Sequence, residues 1–242
     1  MKHLICFFLL FFQGWILAAQ SPVNAIYMEF GYVNLQNEDK FIQAMYGYAR
    51  YRYYMDEHFI HFEQSADLPP DLKYLFGPGL TSSYIFDIHR NELFVCVTLD
   101  SVKIRMPSTE KDMEIFEGML KHNISNTSYP STKTQQLEIL EKNTVGYPVA
   151  GVYSDTAFLF VHKEINLANH LHQFPMYLPE GPIGPGLVMG RNDPTKNGLT
   201  LEFRVIYMEL DRPKSLAAEL GAFTLVTEEA GQEAIRKFLS LK

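Results

Sequence analysis

Leu199-Thr200-Leu201-Glu202-Phe203-Arg204-Val205-Ile206-Tyr207 repeats with a period of two. Its odd positions are apolar, while Thr200, Glu202 and Arg204 project the other way, which predicts a strand with one face on a core and one in water. The same alternation recurs elsewhere. Ile60 and Phe62 alternate with Phe59, His61 and Glu63, and Tyr84, Phe86 and Ile88 alternate with Ile85 and Asp87. Ile26 to Val33 and Ala44 to Met55 are further strand candidates, the second crowded with Tyr46, Tyr48, Tyr51, Tyr53 and Tyr54. Asp56-Glu57, His89-Arg90-Asn91 and Lys196-Asn197-Gly198 supply turns between apolar runs. Short alternating segments joined by turns predict an antiparallel sheet.

Two helices interrupt the strands. After Pro107-Ser108-Thr109, a hydroxyl can cap the exposed amides, and Glu110 and Asp112 complement the dipole of a helix with a Met113, Phe116, Leu120 stripe. A second helix starts near Thr227, carries Glu228 and Glu229 in its first turn, and can pack Ala230, Ala234, Ile235 and Phe238. A third, weaker pattern covers Lys163 to Leu171. Proline and glycine break Ala66 to Gly79 and Met176 to Asn197, which therefore read as long ordered loops of the functional kind. Together these predict a mainly β, α+β fold.

The chain of 242 residues is 47% hydrophobic and 20% charged, enough for one sizeable core. Its first nineteen residues stand apart. Lys2, an apolar run from Leu4 to Phe12 and Trp15-Ile16-Leu17-Ala18-Ala19 have the layout of a secretory signal peptide cut near Ala19. Gln13 and Gly14 interrupt the run, which is short for a ~30 Å bilayer core, so no transmembrane segment is expected in the mature chain. Residues 20–242 then form one domain, periplasmic or secreted. Loss of Lys2 takes the net charge from −7 to −8, which excludes non-specific binding to nucleic acid through clustered lysine and arginine. Only Cys96 remains, so no intramolecular disulfide forms, and within Leu93-Phe94-Val95-Cys96-Val97 it reads as a small buried hydrophobe.

Order along the chain suggests a family. The run from Tyr53 through Phe62-Glu63, then Ser83-Tyr84-Ile85-Phe86-Asp87, then Leu93-Phe94 to Lys103-Ile104-Arg105-Met106-Pro107 resembles a bacterial exported family of unknown function. Thr144-Val145-Gly146-Tyr147, Ala157 to Val161 and the segment leading to Gly221-Ala222-Phe223 continue the likeness. That family in turn looks like the superfamily of the periplasmic lipoprotein localisation factor. The resemblance implies a curved antiparallel sheet, an incomplete barrel closed by helices, and binding of lipid or an acylated peptide. The chain departs from the pattern at His61, where a longer basic residue is usual, and in the long insertion between Glu63 and Ser82.

A curved sheet with an apolar inner face must close, be filled by helices, or enclose something apolar. Candidates for its lining are Ile60, Phe62, Tyr84, Phe86, Leu93, Val95, Leu201, Phe203 and Val205. Whether they line a cavity or fill a core stays open at this level. No nucleophile elbow, zinc-protease helix, phosphate loop or paired-cysteine motif is present. The histidine clusters are His58-Phe59-Ile60-His61 and His170-Leu171-His172. The second could share a strand face and a metal, whereas the first pair would point apart. No acid/base pair, metal ligand set or cofactor is assigned. Asn123-Ile124-Ser125 and Asn126-Thr127-Ser128 match the glycosylation sequon, which matters only in a eukaryote. Three functions remain: a non-enzymatic carrier of acyl chains, an envelope interaction or assembly module without a small ligand, and a metal-dependent hydrolase.

Overall fold

The computed structural model describes residues 21–33, 35, 46–66, 80–99, 102–121, 134–150, 157–181, 183–194, 200–212 and 216–240. The expected leader, residues 67–79, the Lys196-Asn197-Gly198 turn and both sequons lie outside them.

In chain order the elements are β1 Ile26–Val33, β2 Ala49–Met55, β3 Phe59–Ala66, β4 Leu80–Asp87, β5 Glu92–Leu99, β6 Val102–Pro107, α1 Glu110–Lys121, β7 Gln135–Ile139, β8 Lys142–Val149 and β9 Ala157–His162. There follow a 3₁₀ turn at Asn169–Gln173, β10 Tyr177–Leu178, β11 Gly186–Pro194, β12 Thr200–Leu210, α2 Leu216–Gly221, β13 Thr224–Leu225 and α3 Glu228–Ser240. The strands form one sheet in the order β13-β6-β5-β4-β3-β2-β1-β12-β11-β9-β8-β7, with β10 on β11. All neighbours run antiparallel except β13 with β6. The protein is thus mainly β with few helices, and its sheet is open: among the described residues, β7 and β13 each pair on one side.

Two meanders build the sheet. β1 to β6 lie in sequence order, β7 to β12 make the other half, and β1 joins them by pairing with β12 from Ile26↔Leu210 to Val33↔Glu202. Along that seam the register shifts, so that Glu29 faces Tyr207 and Phe30 faces Val205. Ile206 is the extra residue of this β-bulge, which turns every later side chain over. The alternation of 199–207 therefore breaks at its end. Tyr207 is 46% exposed, and Met208 and Leu210 join the core face in its place.

Arg204 corrects the same reading from the other side, because it is buried, not in water. The row across the strands runs Gly31, Arg204, Gly190, Phe160, Gly146. A Cβ at 190 would lie 2.8 Å from the Phe203 carbonyl oxygen and 2.9 Å from Arg204 Cδ, and one at 146 would lie 2.7 Å from the Phe160 ring. Glycine at both positions lets Arg204 lie over the Phe160 ring, 4.7 Å from its centroid, while Nη2 pairs with Glu202 at 3.0 Å. Large side chains covering glycines on neighbouring strands fill the missing side-chain volume.

The expected loop 176–197 contains the central strand β11, whose glycines and lack of alternation disguise it. Gly186 to Gly190 are all buried, as in a strand covered on both faces. The weak helical pattern at Lys163 to Leu171 gives only the 3₁₀ turn Asn169–Gln173, which takes in its last three residues and ends two residues beyond it. Both stronger helices form where expected. Thr109 and Asp112 close a reciprocal cap, with Asp112 N–H donating to Thr109 Oγ1 at 3.2 Å and Thr109 N–H to Asp112 Oδ2 at 2.8 Å. Of the four residues expected to pack from α3, Ala230 is exposed instead; the contact falls to Gly231, beside Met106, with Ala234, Ile235 and Phe238 over β5 and β6. No helix among the described residues is long and apolar enough to cross a membrane.

β7 and β8 are joined by two residues, Leu140 and Glu141, with φ of 48° and 60°. This is the backbone of a type I′ hairpin turn, which Asn-Gly adopts at lower cost. The double substitution Leu140→Asn with Glu141→Gly is expected to stabilise the protein by about 1 kcal/mol, raising the thermal midpoint by about 2–4 °C. A midpoint unchanged or lowered in calorimetry would count against this turn.

Candidate functional site

Register places the nine expected lining residues on one face. Phe62, Tyr84 and Val95 form one row with Tyr53 and Met106, and Ile60, Phe86 and Leu93 form the next with Met55. Val205 lies opposite Phe30, and Phe203 opposite Tyr32. Sharing a face does not make them one cavity. Ile60, Phe62, Leu93 and Val205 are buried in the main core. Tyr84 and Phe86 meet Phe116 of α1, ring centroids 6.2 and 5.9 Å apart, and Val95 packs beneath α3. Helices thus occupy the β4–β6 end of this face.

The space that remains lies at the β1–β12 seam. Leu201 and Phe203 line a cavity of about 270 Å³ together with Phe30, Tyr32, Tyr46, Tyr51, Leu159, Met176, Val188, Gly190, Arg191 and Asp193. Phe203 is the hub of its aromatic wall. It stacks on Phe30 at 5.0 Å and 12°, and meets Tyr32 at 5.2 Å and Tyr51 edge-on at 5.4 Å. Tyr46 extends the wall by an edge contact to Tyr32 at 5.1 Å. Offset and edge-to-face contacts of this kind hold rings in place beyond the effect of area alone. Burial, and then the neighbouring Tyr46, raises the Tyr51 pKa above the usual phenol range, so its hydroxyl stays a neutral donor.

The polar part of the cavity comes from β11, the strand hidden from sequence. Arg191 stands opposite Phe203 and Asp193 opposite Leu201, which turns both charges to the cavity face. Arg191 Nη2 lies 3.0 Å from Asp193 Oδ2 and donates to the Ala150 carbonyl at 2.9 Å. The pair is almost fully buried, so its charges are balanced inside the protein. The site offers an apolar, aromatic wall with a neutralised ion pair on one side. Tyr46 and Tyr51 belonged to a visible tyrosine cluster, but Arg191 and Asp193 carried no local signal.

On the opposite face, Arg52 bridges Glu29 at 2.9 Å and Glu63 at 2.6 Å in one cross-strand row, a half-buried ladder that pins β1, β2 and β3. Cys96 is 1% exposed beside Ile85 and Leu220. Burial pushes its thiol up to about 12, with Arg105 pulling the other way. In a Cys6→Ala background, thiol reagents at pH 8 are expected to modify the native protein orders of magnitude more slowly than the urea-unfolded chain. The raised folded value makes its contribution to stability complete below the ordinary thiol range near ~8.5, and lost as pH climbs toward 12. Equal modification rates with and without urea would show Cys96 to be accessible.

The expected histidine clusters separate. His61 is buried while His58 sits in the β2–β3 turn, and His170 and His172 lie on the 3₁₀ turn, bonded to the Asn24 carbonyl at 2.9 Å and stacked on Tyr177 at 4.9 Å respectively. Among the described residues, no three or more His, Cys, Asp or Glu side chains converge as a metal would need. A second cavity of about 150 Å³ is lined in part by Lys142, His162 and Glu164.

No family model and no curated protein matches the chain. It is similar to PNGF-II. Solved structures of that protein in C2 and P21 crystals overlay with TM-scores of 0.40 and 0.41 at 10% identity, over 88% and 89% of this chain. The chain spans about a third of the length of PNGF-II, 33% and 34% in the two cases.

Proposed function

We propose that this is an exported, non-enzymatic binding protein, of the kind built by the lipoprotein localisation superfamily, whose open sheet receives one apolar group in the cavity around Phe203. The observation that carries this reading is the cavity itself: about 270 Å³ of space walled by four aromatic rings besides Phe203. That volume is just below the usual range of small-molecule pockets, roughly 300–1,000 Å³, so it suits the end of a single acyl chain or one aromatic group and not a whole two-chain lipid. Each methylene removed from water there contributes about 0.8 kcal/mol. The balanced Arg191–Asp193 pair leaves no net charge to attract an ionic ligand, which favours a neutral one.

Titration of the full chain with a single-chain fatty acid and with its methyl ester, by calorimetry, tests the reading. Binding of one equivalent, with the ester bound at least as well as the acid, is expected. Leu201→Trp fills the cavity and is expected to weaken binding at least about tenfold, equivalent to about 1.4 kcal/mol. Ile60→Val, in the filled part of the same face, leaves affinity unchanged. No binding, or equal binding by Leu201→Trp, removes the carrier reading. A second reading, an envelope interaction module without a small ligand, draws on β7, which among the described residues pairs on one side only and so suits addition of a partner strand.

A further inference from the structure

The turns at one end of the sheet bring together two histidines that are 31 residues apart in sequence. β3 and β4 are neighbours with Phe59 opposite Asp87, so the β2–β3 turn at 56–58 and the β4–β5 turn at 88–91 lie side by side. Ile88 N–H donates to the His58 carbonyl at 2.8 Å, tying one turn to the other. Each turn is also fixed internally by an aspartate. Asp56 Oδ1 accepts from the His58 and Phe59 amides, both at 2.8 Å, and Asp87 Oδ1 accepts from the Arg90 amide at 3.0 Å. On this braced backbone His58 Nδ1 and His89 Nε2 point at each other, 2.7 Å apart, with ring centroids 4.8 Å apart. Glu57 Oε1 lies 3.2 Å from the other nitrogen of His58, Nε2.

A carboxylate on the far nitrogen is the partner that orients a metal-bound histidine: it fixes the proton on that nitrogen and frees the lone pair of the other. Here it fixes Nε2–H and leaves the Nδ1 lone pair facing His89, whose Nε2–H donates to it. For nitrogens about 2.0–2.1 Å from a metal, a right-angle pair is separated by about 2.8–3.0 Å and a tetrahedral pair by about 3.3–3.4 Å. The observed 2.7 Å is that of a hydrogen bond between the rings, and a widening of about 0.1–0.3 Å would bring the two nitrogens to the right-angle separation, less than the tetrahedral one needs. Right-angle imidazole pairs suit tetragonal metals, and among the divalent ions Cu²⁺ binds nitrogen sites most tightly. The His58 side chain is 51% exposed, so water or a partner's side chain can take the remaining positions.

We propose that His58 Nδ1 and His89 Nε2, oriented by Glu57, form a surface site for a tetragonal divalent metal, Cu²⁺ foremost. On binding, His89 Nε2 gives up its proton while Nδ1 of the same ring takes one up through solvent, so the ring stays neutral, and the metal takes the His89 Nε2 lone pair so exposed together with that of His58 Nδ1.

The test is titration of the chelator-stripped, untagged full chain with Cu²⁺ against a weak competing ligand, read by electron paramagnetic resonance. A His3→Ala background prevents the amino terminus and His3 from forming a competing chelate. One equivalent with a signature of two imidazole nitrogens is expected. Glu57→Gln should weaken it by about 10–100-fold, the usual cost of losing an orienting partner, and His58→Ala and His89→Ala by more. His170→Ala, on the 3₁₀ turn, should bind as the parent does. Glu57, His58 and His89 project from turns and their side chains bond to one another, while His170→Ala gives up one bond to the Asn24 carbonyl; unchanged thermal midpoints verify that the variants fold. Absence of the equivalent, its survival in the His58→Ala, His89→Ala double variant, or tighter binding of Zn²⁺ than of Cu²⁺ would overturn the assignment.

Discussion

Phe30→Ala is expected to cost about 3–5 kcal/mol of folding free energy, the largest loss of any single truncation at the seam. Phe30 is 0% exposed, stacks on Phe203, and meets Tyr53 edge-on at 5.7 Å. It faces Tyr51 on one side and Val205 on the other, so it touches both meanders at once. Removing its ring would also merge new empty space with the cavity it already lines, leaving the surrounding rings without partners on that side. For a chain of this size each kcal/mol moves the thermal midpoint by about 2–4 °C, so a fall of about 6–20 °C is expected. Urea unfolding should show a lower midpoint at unchanged slope. A loss below about 1 kcal/mol would mean that the seam collapses onto the gap, and that the cavity is not held open by its walls.

Gly190→Val should destabilise by about 1–3 kcal/mol or more, for the opposite reason. The added carbons meet the Phe203 carbonyl oxygen, a backbone atom of the adjacent strand that cannot retreat without breaking the ladder, and displace Arg204 from the Phe160 ring. The comparison is Gly181→Val, where a Cβ meets nothing within 4 Å and the change should stay within about 0.5 kcal/mol. Equal losses in the two variants, measured by urea unfolding, would show that the cost lies in backbone entropy and not in the crossing of Arg204 over β11.

Alternation was readable wherever one face of a strand meets the core and the other does not. The six lining candidates on β3, β4 and β5 fall on one face for that reason. β12 was readable as far as Val205, because a bulge leaves no local mark and is fixed by the strand opposite. β11 was not readable at all: it is buried on both faces, and its glycines, needed for close packing, look like loop residues. The cavity inherits that blindness, since Leu201 and Phe203 were visible while Arg191 and Asp193 sit on the hidden strand. The histidines show the same limit in another form. Spacing singled out His58 with His61, whereas strand pairing selects His58 with His89.

The seam between β1 and β12 also sets an order of events. Every other neighbouring pair in the first meander can form as a hairpin soon after its strands exist, but β1 has to wait for Leu210, more than 180 residues later, before its second edge is filled. Closing so long a loop is slow, and rates fall as contacts become more distant in sequence. Until then Ile26, Met28 and Phe30 stand at the rim of a half-built sheet with an unpaired backbone beside them. The nascent protein is therefore expected to be at its most aggregation-prone just before its last long strand arrives, and a chain cut before residue 200 should keep that vulnerable edge for good.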